Sequence, residues 1–265
     1  MAIELHHFEP NLFSLKPLIA LNEKGLEFTS HYLDWTDFEQ RGPAGPELNL
    51  EARHNPELEG PVLVHDGAVI TESFFMMEYL EDAFPGRTPL KPGTPEGDWR
   101  VQVWGRFNGE RIAPAVSTLG CHKHLVPLLR EKRINAAGLL LDRISPEERR
   151  NAWAQAIEDS YPPELLEDSR RRVGLLVERI ETALAGGRRW LVDDAYSLAD
   201  IDAFAMANPL PKLTPELCNA AVAPRAMAWI GRMRERPAVR KALALSRTGK
   251  PEEAFAPGPE HARWG

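Results

Sequence analysis

The stretch Gly60-Pro-Val-Leu-Val-His-Asp-Gly-Ala-Val-Ile-Thr-Glu-Ser73 constrains this chain more than any other. Two short apolar runs, Val62 to Val64 and Ala68 to Ile70, flank His65-Asp66-Gly67. Asp-Gly between β-branched residues marks a type I′ hairpin, because both turn residues need φ > 0. A proline stands before the first strand and Thr-Glu-Ser before a helix. The unit reads proline–strand–turn–strand–helix. A helix that starts at Ser73 offers free backbone N–H groups and a positive dipole end, a seat for a carboxylate. A small anionic ligand fits between Pro61 and Ser73.

Composition narrows the setting. A chain of 265 residues is enough for one large domain or two modest ones. A net charge of -7 and a pI near 5.7 argue against nucleic acid as a partner. Arg170-Arg-Arg172 is short and lies beside Glu167 and Asp168, so it is no phosphate-tracking stripe. Two cysteines, Cys121 and Cys218, make no disulfide scaffold and point to a reducing compartment. The chain starts Met-Ala-Ile-Glu-Leu, without a signal region, and no apolar run reaches the roughly 18 residues that span a bilayer. The expectation is a soluble cytoplasmic protein with no membrane partner.

Along the chain, residues 3 to 8 alternate like a strand. Ser14 caps a helix from Leu15 to Lys24, which Gly25 ends, and Leu26 to Leu33 returns as a strand. Residues 41 to 60 form a long loop of Gly, Pro, Asn and Glu, of the kind that carries function. Pro85 to Pro95 reads as a linker. Helical spacing follows from Gly97 to Lys132, with a kink at Pro114. Ser145-Pro-Glu-Glu148 starts another helix, Pro163 to Ala185 is the next, and Gly186-Gly187 stops it. Ser197-Leu-Ala-Asp200 is a capping box in its Asp form. Two helices, Pro224 to Arg236 and Pro237 to Ser246, close the pattern, and Lys250 to Gly265 is irregular. The division is an α/β domain over 1–84, a linker over 85–95, an all-helical domain over 96–248 and a tail over 249–265.

That order of motifs resembles the cytosolic glutathione S-transferases, with a thioredoxin-like N-terminal domain and an all-α C-terminal domain. Pro61 falls where the family has a cis-proline before its third strand. Glu72-Ser73 falls at the start of the third helix, and Ser197-x-x-Asp200 after Trp190-Leu-Val falls at the start of the sixth. A narrower resemblance lies in Phe13 to Phe28, His65 to Ser73, Glu78 to Pro85 and Trp190 to Ile201. These segments look like the bacterial β-aryl-etherases that cleave lignin-derived dimers, most of all the branch cleaving the β(S) isomer and its relatives.

The resemblance implies glutathione as co-substrate and no metal. A hydroxyl or amide donor near sulfur favours the thiolate, which attacks the β-carbon beside an aryl ketone and expels phenoxide. Ser14 matches the thiolate-stabilising hydroxyl; read from the residues alone it is a plain N-cap. Gly60 and Pro61 expose backbone to the cysteinyl part of glutathione. Glu72 and Ser73 match the contacts to the γ-glutamyl amine and carboxylate, and Arg53 (with His54 and Arg41) is a candidate for the glycine end. The aromatic substrate would meet Phe13, Trp104, Phe107, Asn108, Arg111 and Val116, although aromatic residues at helical spacing also serve as plain core. Cys121-His-Lys-His124 cannot all face one ion at helical spacing.

The chain departs from the family at Phe13, where close etherase relatives carry Asn; Phe donates no hydrogen bond. It departs again at Glu57, Leu58, Glu59 and Gly60, where extra negative charge stands near the glycine carboxylate. Three readings follow: an active etherase in a homodimer, a non-catalytic subunit of a heterodimer with a related chain, or a glutathione transferase or lyase for another electrophile.

Overall fold

The computed structural model describes residues 2–34, 60–134, 147–253 and 258–259. Arg41, Arg53, His54, Glu57, Leu58, Glu59, Ser145, Phe255 and Trp264 lie outside the described residues.

Four strands form one mixed sheet in the order β2-β1-β3-β4. They are β1 Ile3–His7, β2 Thr29–Tyr32, β3 Val62–His65 and β4 Ala68–Ile70. β1 runs parallel to β2 across helix α1, Leu12–Glu23, and antiparallel to β3, which pairs antiparallel with β4. The hairpin turn has the conformation its sequence demands, with Asp66 at φ 47° and Gly67 at φ 86°. β2 starts later than Leu26, because Leu26 still closes α1: its N–H donates to Leu21 O at 3.0 Å around Gly25 at φ 62°. Helix α2, Ser73–Ala83, follows β4 directly. Ile3, Leu5 and Leu63 are buried with Leu15, Leu18, Ile19, Met76 and Leu80 of α1 and α2.

Helix α1 also differs from expectation. It begins at Leu12, with Asn11 extended at φ -134° as its N-cap, so Ser14 lies inside the first turn and is not the cap. The Ser14 hydroxyl is taken by another donor, the Phe8 N–H at 3.1 Å.

The rod expected from Gly97 to Lys132 is three α-helices joined by two π-turns. Helix α3 is Pro95–Phe107, α4 is Ala113–Gly120 and α5 is Val126–Glu131; the π-turns are Asn108–Ile112 and Cys121–Leu125. Each π-turn ends two residues before a proline. Ala113 N–H reaches back to Asn108 O ahead of Pro114, and Val126 N–H to Cys121 O ahead of Pro127. Proline lacks an N–H and its ring crowds the carbonyl four residues back; the wider turn relieves both. The kink expected at Pro114 is thus a π-turn, and Pro127 repeats it.

The remaining helices are α6 Glu147–Glu158, α7 Pro163–Ala183, α8 Leu198–Ala207, α9 Leu210–Leu213, α10 Pro224–Glu235 and α11 Pro237–Leu243. The capping box opens α8. The Asp200 carboxylate accepts from the Ser197 N–H at 3.1 Å, the Leu191 N–H at 3.2 Å and the Trp229 indole N–H at 3.0 Å. After α11, Arg247, Thr248 and Glu253, which lie in no helix or strand, fold back on the loop between β1 and α1.

The helical part and the sheet part join at several points. Lys16 of α1 pairs with Asp202 of α8 at 2.6 Å. Arg236, just before α11, grips Glu23 at the end of α1 with two bonds of 2.6 and 2.9 Å. Gly105 of α3 lies under the Phe74 ring of α2, where a Cβ would come within 2.4 Å of the ring. Among the described residues no helix is long and apolar enough to cross a membrane.

Candidate active site

Strand register brings the expected site residues to one end of the sheet. His6, near the end of β1, pairs with Val62, the first residue of β3, so Pro61 lies beside the β1–α1 loop. Leu63 pairs with Ile70, the last residue of β4, which puts Glu72 and Ser73 at the same end. Ser14, Gly60, Pro61, Glu72 and Ser73 therefore gather where three strands begin or end, beside the N-termini of α1 and α2. The Gly60–Pro61 bond is cis. Arg53 lies outside the described residues.

Local chemistry suits an anion here. Glu72 caps α2 with φ 64° and ψ 103°, a strained conformation for a residue with a Cβ. Its side chain is exposed, whereas Ser73 is buried at the first helical position. The exposed Glu72 carboxylate and the N–H end of α2 stand side by side, a pairing suited to a ligand that carries both an ammonium and a carboxylate.

Ser14 is buried, and its oxygen accepts from the Phe8 N–H. Its own proton is left to donate, which is what a neighbouring sulfur anion needs. The adjacent His7 is held neutral. Its Nδ1 donates to Phe8 O at 2.6 Å, so Nε2 accepts from the Ser30 hydroxyl at 2.7 Å. Burial, the largest influence, pushes this imidazole down to about 4.

The expected aromatic lining divides. Phe13 is half-buried, with the Lys16 ammonium 5.4 Å from its ring. Trp104 and Phe107 meet edge to face at 6.3 Å. Both are covered by the Arg179 guanidinium of α7, at 4.2 and 4.3 Å. Val116 is fully buried in the core. Arg111 is exposed on the first π-turn. Asn108 is fully buried and donates to Asp202 at 2.6 Å, so its amide serves the Lys16–Asp202 pair. Trp104 and Phe107 are expected from the family resemblance; Arg179 and Lys16, which lie against them and Phe13, are not, because their placement depends on packing between distant helices.

Cys121, His122 and His124 point to different partners: Ser117 Oγ at 3.6 Å, Asp159 at 3.6 Å and Glu253 at 4.0 Å. A group not foreseen, Glu4, His6 and His31, has ligand atoms within 4.8 Å of one another. Its two imidazoles are stacked at 4.4 Å and 12°, so their in-plane lone pairs do not converge on one point.

Comparison with known proteins fits this arrangement. Residues 12–83 match the glutathione S-transferase N-terminal domain and residues 144–237 the C-terminal domain. The chain is 34% identical over 252 residues to protein LigF of Sphingobium sp. strain SYK-6, covering 93% of this chain and 95% of LigF. The chain belongs to the glutathione S-transferase family. The solved structure of β-etherase LigF from that strain covers 93% of this transferase-family chain and 100% of its own, with a TM-score of 0.83 and 33% identity. Glutathione transferase GST 23 of Zea mays is 28% identical, over 84% of this chain and 81% of its own. The sheet, the cis Gly60–Pro61 bond and the α2 N-terminus are thus the thioredoxin-like half of a glutathione S-transferase fold, and the helices from α3 on are its second half.

Proposed function

We propose that this chain binds glutathione and cleaves β-aryl ethers of lignin-derived aromatics. Gly60 offers backbone to the cysteinyl part, and Glu72 and Ser73 take the γ-glutamyl end. Arg53 is proposed for the glycine end. The Ser14 O–H donates to sulfur, and the thiolate attacks the β-carbon of the substrate. A C–S bond forms as the C–O bond breaks. The phenoxide leaves with the bonding pair and takes a proton from water, with no net oxidation. The observation that carries this reading is the Ser14 hydroxyl, which accepts from Phe8 and so keeps its proton for sulfur. Full-length likeness to LigF supports the substrate class. Trp104 and Phe107, and Arg111 beyond them, are proposed to border the aromatic site.

A second reading is a non-catalytic subunit paired with a related chain. Phe13 favours it, since its ring offers no proton to sulfur. A dimer of either kind is proposed on the α2–α3 face, where Phe75 and Trp99 are 61% and 59% exposed. The proposed domain limits are 84 and 96, and the proposed location is the cytoplasm.

Calorimetry of the chain alone with glutathione, followed by turnover of a β-aryl ether dimer, tests the proposal. Binding and release of a phenol support the etherase. No binding at millimolar glutathione leaves the structural subunit. Binding with turnover only of other electrophiles leaves a general transferase.

A further inference from the structure

We propose that Glu9 is a positioning residue for Ser14 and that the segment from Ser246 to Glu253 is a working part of the site. This rests on the reading of Ser14 as the thiolate-stabilising group. Glu9 is in the β1–α1 loop, five residues before Ser14, and is 1% exposed. A carboxylate so buried is held in place by its donors. Its Oε1 accepts from the Tyr32 hydroxyl at 2.7 Å and from the backbone N–H groups of Arg247 and Thr248, both at 2.8 Å. Two of the three donors come from the far end of the chain.

Asn11 makes the same connection. It is the N-cap residue of α1, yet its side chain makes no capping bond. Its amide instead donates to Glu253 O at 3.0 Å. The strap is fastened elsewhere as well. Arg247 stacks over the Tyr32 ring at 4.1 Å, Lys212 pairs with Glu252, and His124 faces Glu253 at 4.0 Å. Phe8, the residue directly before Glu9, donates its N–H to Ser14, so the loop held at Glu9 and Asn11 is closed at both ends around the Ser14 hydroxyl. Leu12, at φ 39°, adds a strained backbone that persists only where its surroundings hold it. The strap therefore fixes the loop that aims the Ser14 hydroxyl, while the glutathione seat at Gly60 to Ser73 stands on other elements. Loss of the clamp should act on kcat and leave glutathione affinity nearly alone.

The test uses the full chain with Glu9→Gln and, as the milder variant, Tyr32→Phe, which keeps the carboxylate. Three quantities are read: glutathione affinity by calorimetry, the pH at which bound glutathione shows thiolate absorbance, and amide exchange. For Glu9→Gln the affinity is expected to stay within about threefold, while the thiolate band moves to higher pH and kcat falls about tenfold. Exchange at Arg247, Thr248 and Phe8 amides rises about tenfold or more. Tyr32→Phe moves each in the same direction by less, and it decides the matter if Glu9→Gln does not fold. A faster strap with Phe8 exchange and the thiolate band unmoved overturns the proposal. If the native chain gives no thiolate band, the reading of Ser14 falls; the exchange rates alone then decide whether Glu9 couples the strap to the loop.

Discussion

Lys16 and Asp202 form an ion pair almost without access to water: Nζ lies 2.6 Å from Oδ1, and the side chains are 3% and 0% exposed. Asn108 donates to the other carboxylate oxygen at 2.6 Å. The pair pins α1 to α8. Lys16→Met leaves Asp202 buried with no cation, and is expected to cost about 3–5 kcal/mol in urea unfolding. Adding Asp202→Leu removes the stranded charge and should recover most of that loss. A single variant as stable as the native chain sinks the claim that the pair is a structural joint.

Ser14→Ala keeps the fold, because the change removes one hydrogen bond, that from the Phe8 N–H to the hydroxyl. Glutathione affinity should change by only a few-fold, and kcat should fall about 10²-fold as the bound thiol becomes harder to ionise. An unchanged pH–rate profile argues against the hydroxyl as the thiolate's donor.

Phe13→Asn tests the departure from the etherase pattern. An amide beside Ser14 supplies a second N–H toward sulfur, and an increase in kcat of about tenfold is expected. Kinetics against a β-aryl ether dimer measure this directly. No gain means that the phenyl ring is not what limits the chain.

Gly105→Ala places a methyl 2.4 Å from the Phe74 ring at the α2–α3 contact. The ring must move, and a loss of about 1–3 kcal/mol in thermal or denaturant unfolding is expected. Phe74→Leu in the same chain should restore part of it. If Gly105→Ala alone is neutral, the two helices are less tightly set than their spacing implies.

His7 and Asp200 pull the pH dependence of stability in opposite directions. Burial lowers the His7 imidazole to about 4 in the folded chain. An unfolded chain protonates it near 6.5, so its contribution is full above that pH and is lost as pH falls toward 4. Burial raises the buried Asp200 carboxyl to about 7, from 3.8. Its contribution is full below 3.8 and lost as pH rises through about 7. At full extent His7 is worth about 3 kcal/mol and Asp200 about 4 kcal/mol, so they largely offset between pH 4 and 6.5. Asp200→Asn should unmask a fall in stability on acidification, and His7→Asn a rise. Urea midpoints across that range decide it; parallel profiles for all three chains count against both assignments.

What the sequence made legible was local. Asp66-Gly67 demands its turn, Pro61 stands at the strand start, and Ser197 and Asp200 cap each other over three residues; each depends on near neighbours. Ser14 was placed as a cap because serine before an apolar run usually is one. In the structure its oxygen serves Phe8, six residues back across a loop, and the helix starts earlier. Asn108 is expected, from the family resemblance, to meet the aromatic substrate, yet its partner Asp202 is 94 residues away and buried. Glu9 and Thr248, 239 residues apart, leave no mark in any window of sequence.

The two π-turns carry a consequence for how this architecture can vary. Each takes up one extra residue within a turn, in a rod whose α3 packs on α8, α4 on α7 and α5 on α6. Each π-turn is a slack link that stores one residue without turning the helix beyond it. Deleting Gly109 or Lys123 would turn the Ala113-to-Asn108 or Val126-to-Cys121 bond into an ordinary α-helical one and leave the later side chains facing as they do now. A deletion in the α-helical parts of the rod, where no extra residue is stored, would instead swing every later side chain about 100° and exchange a whole helix face.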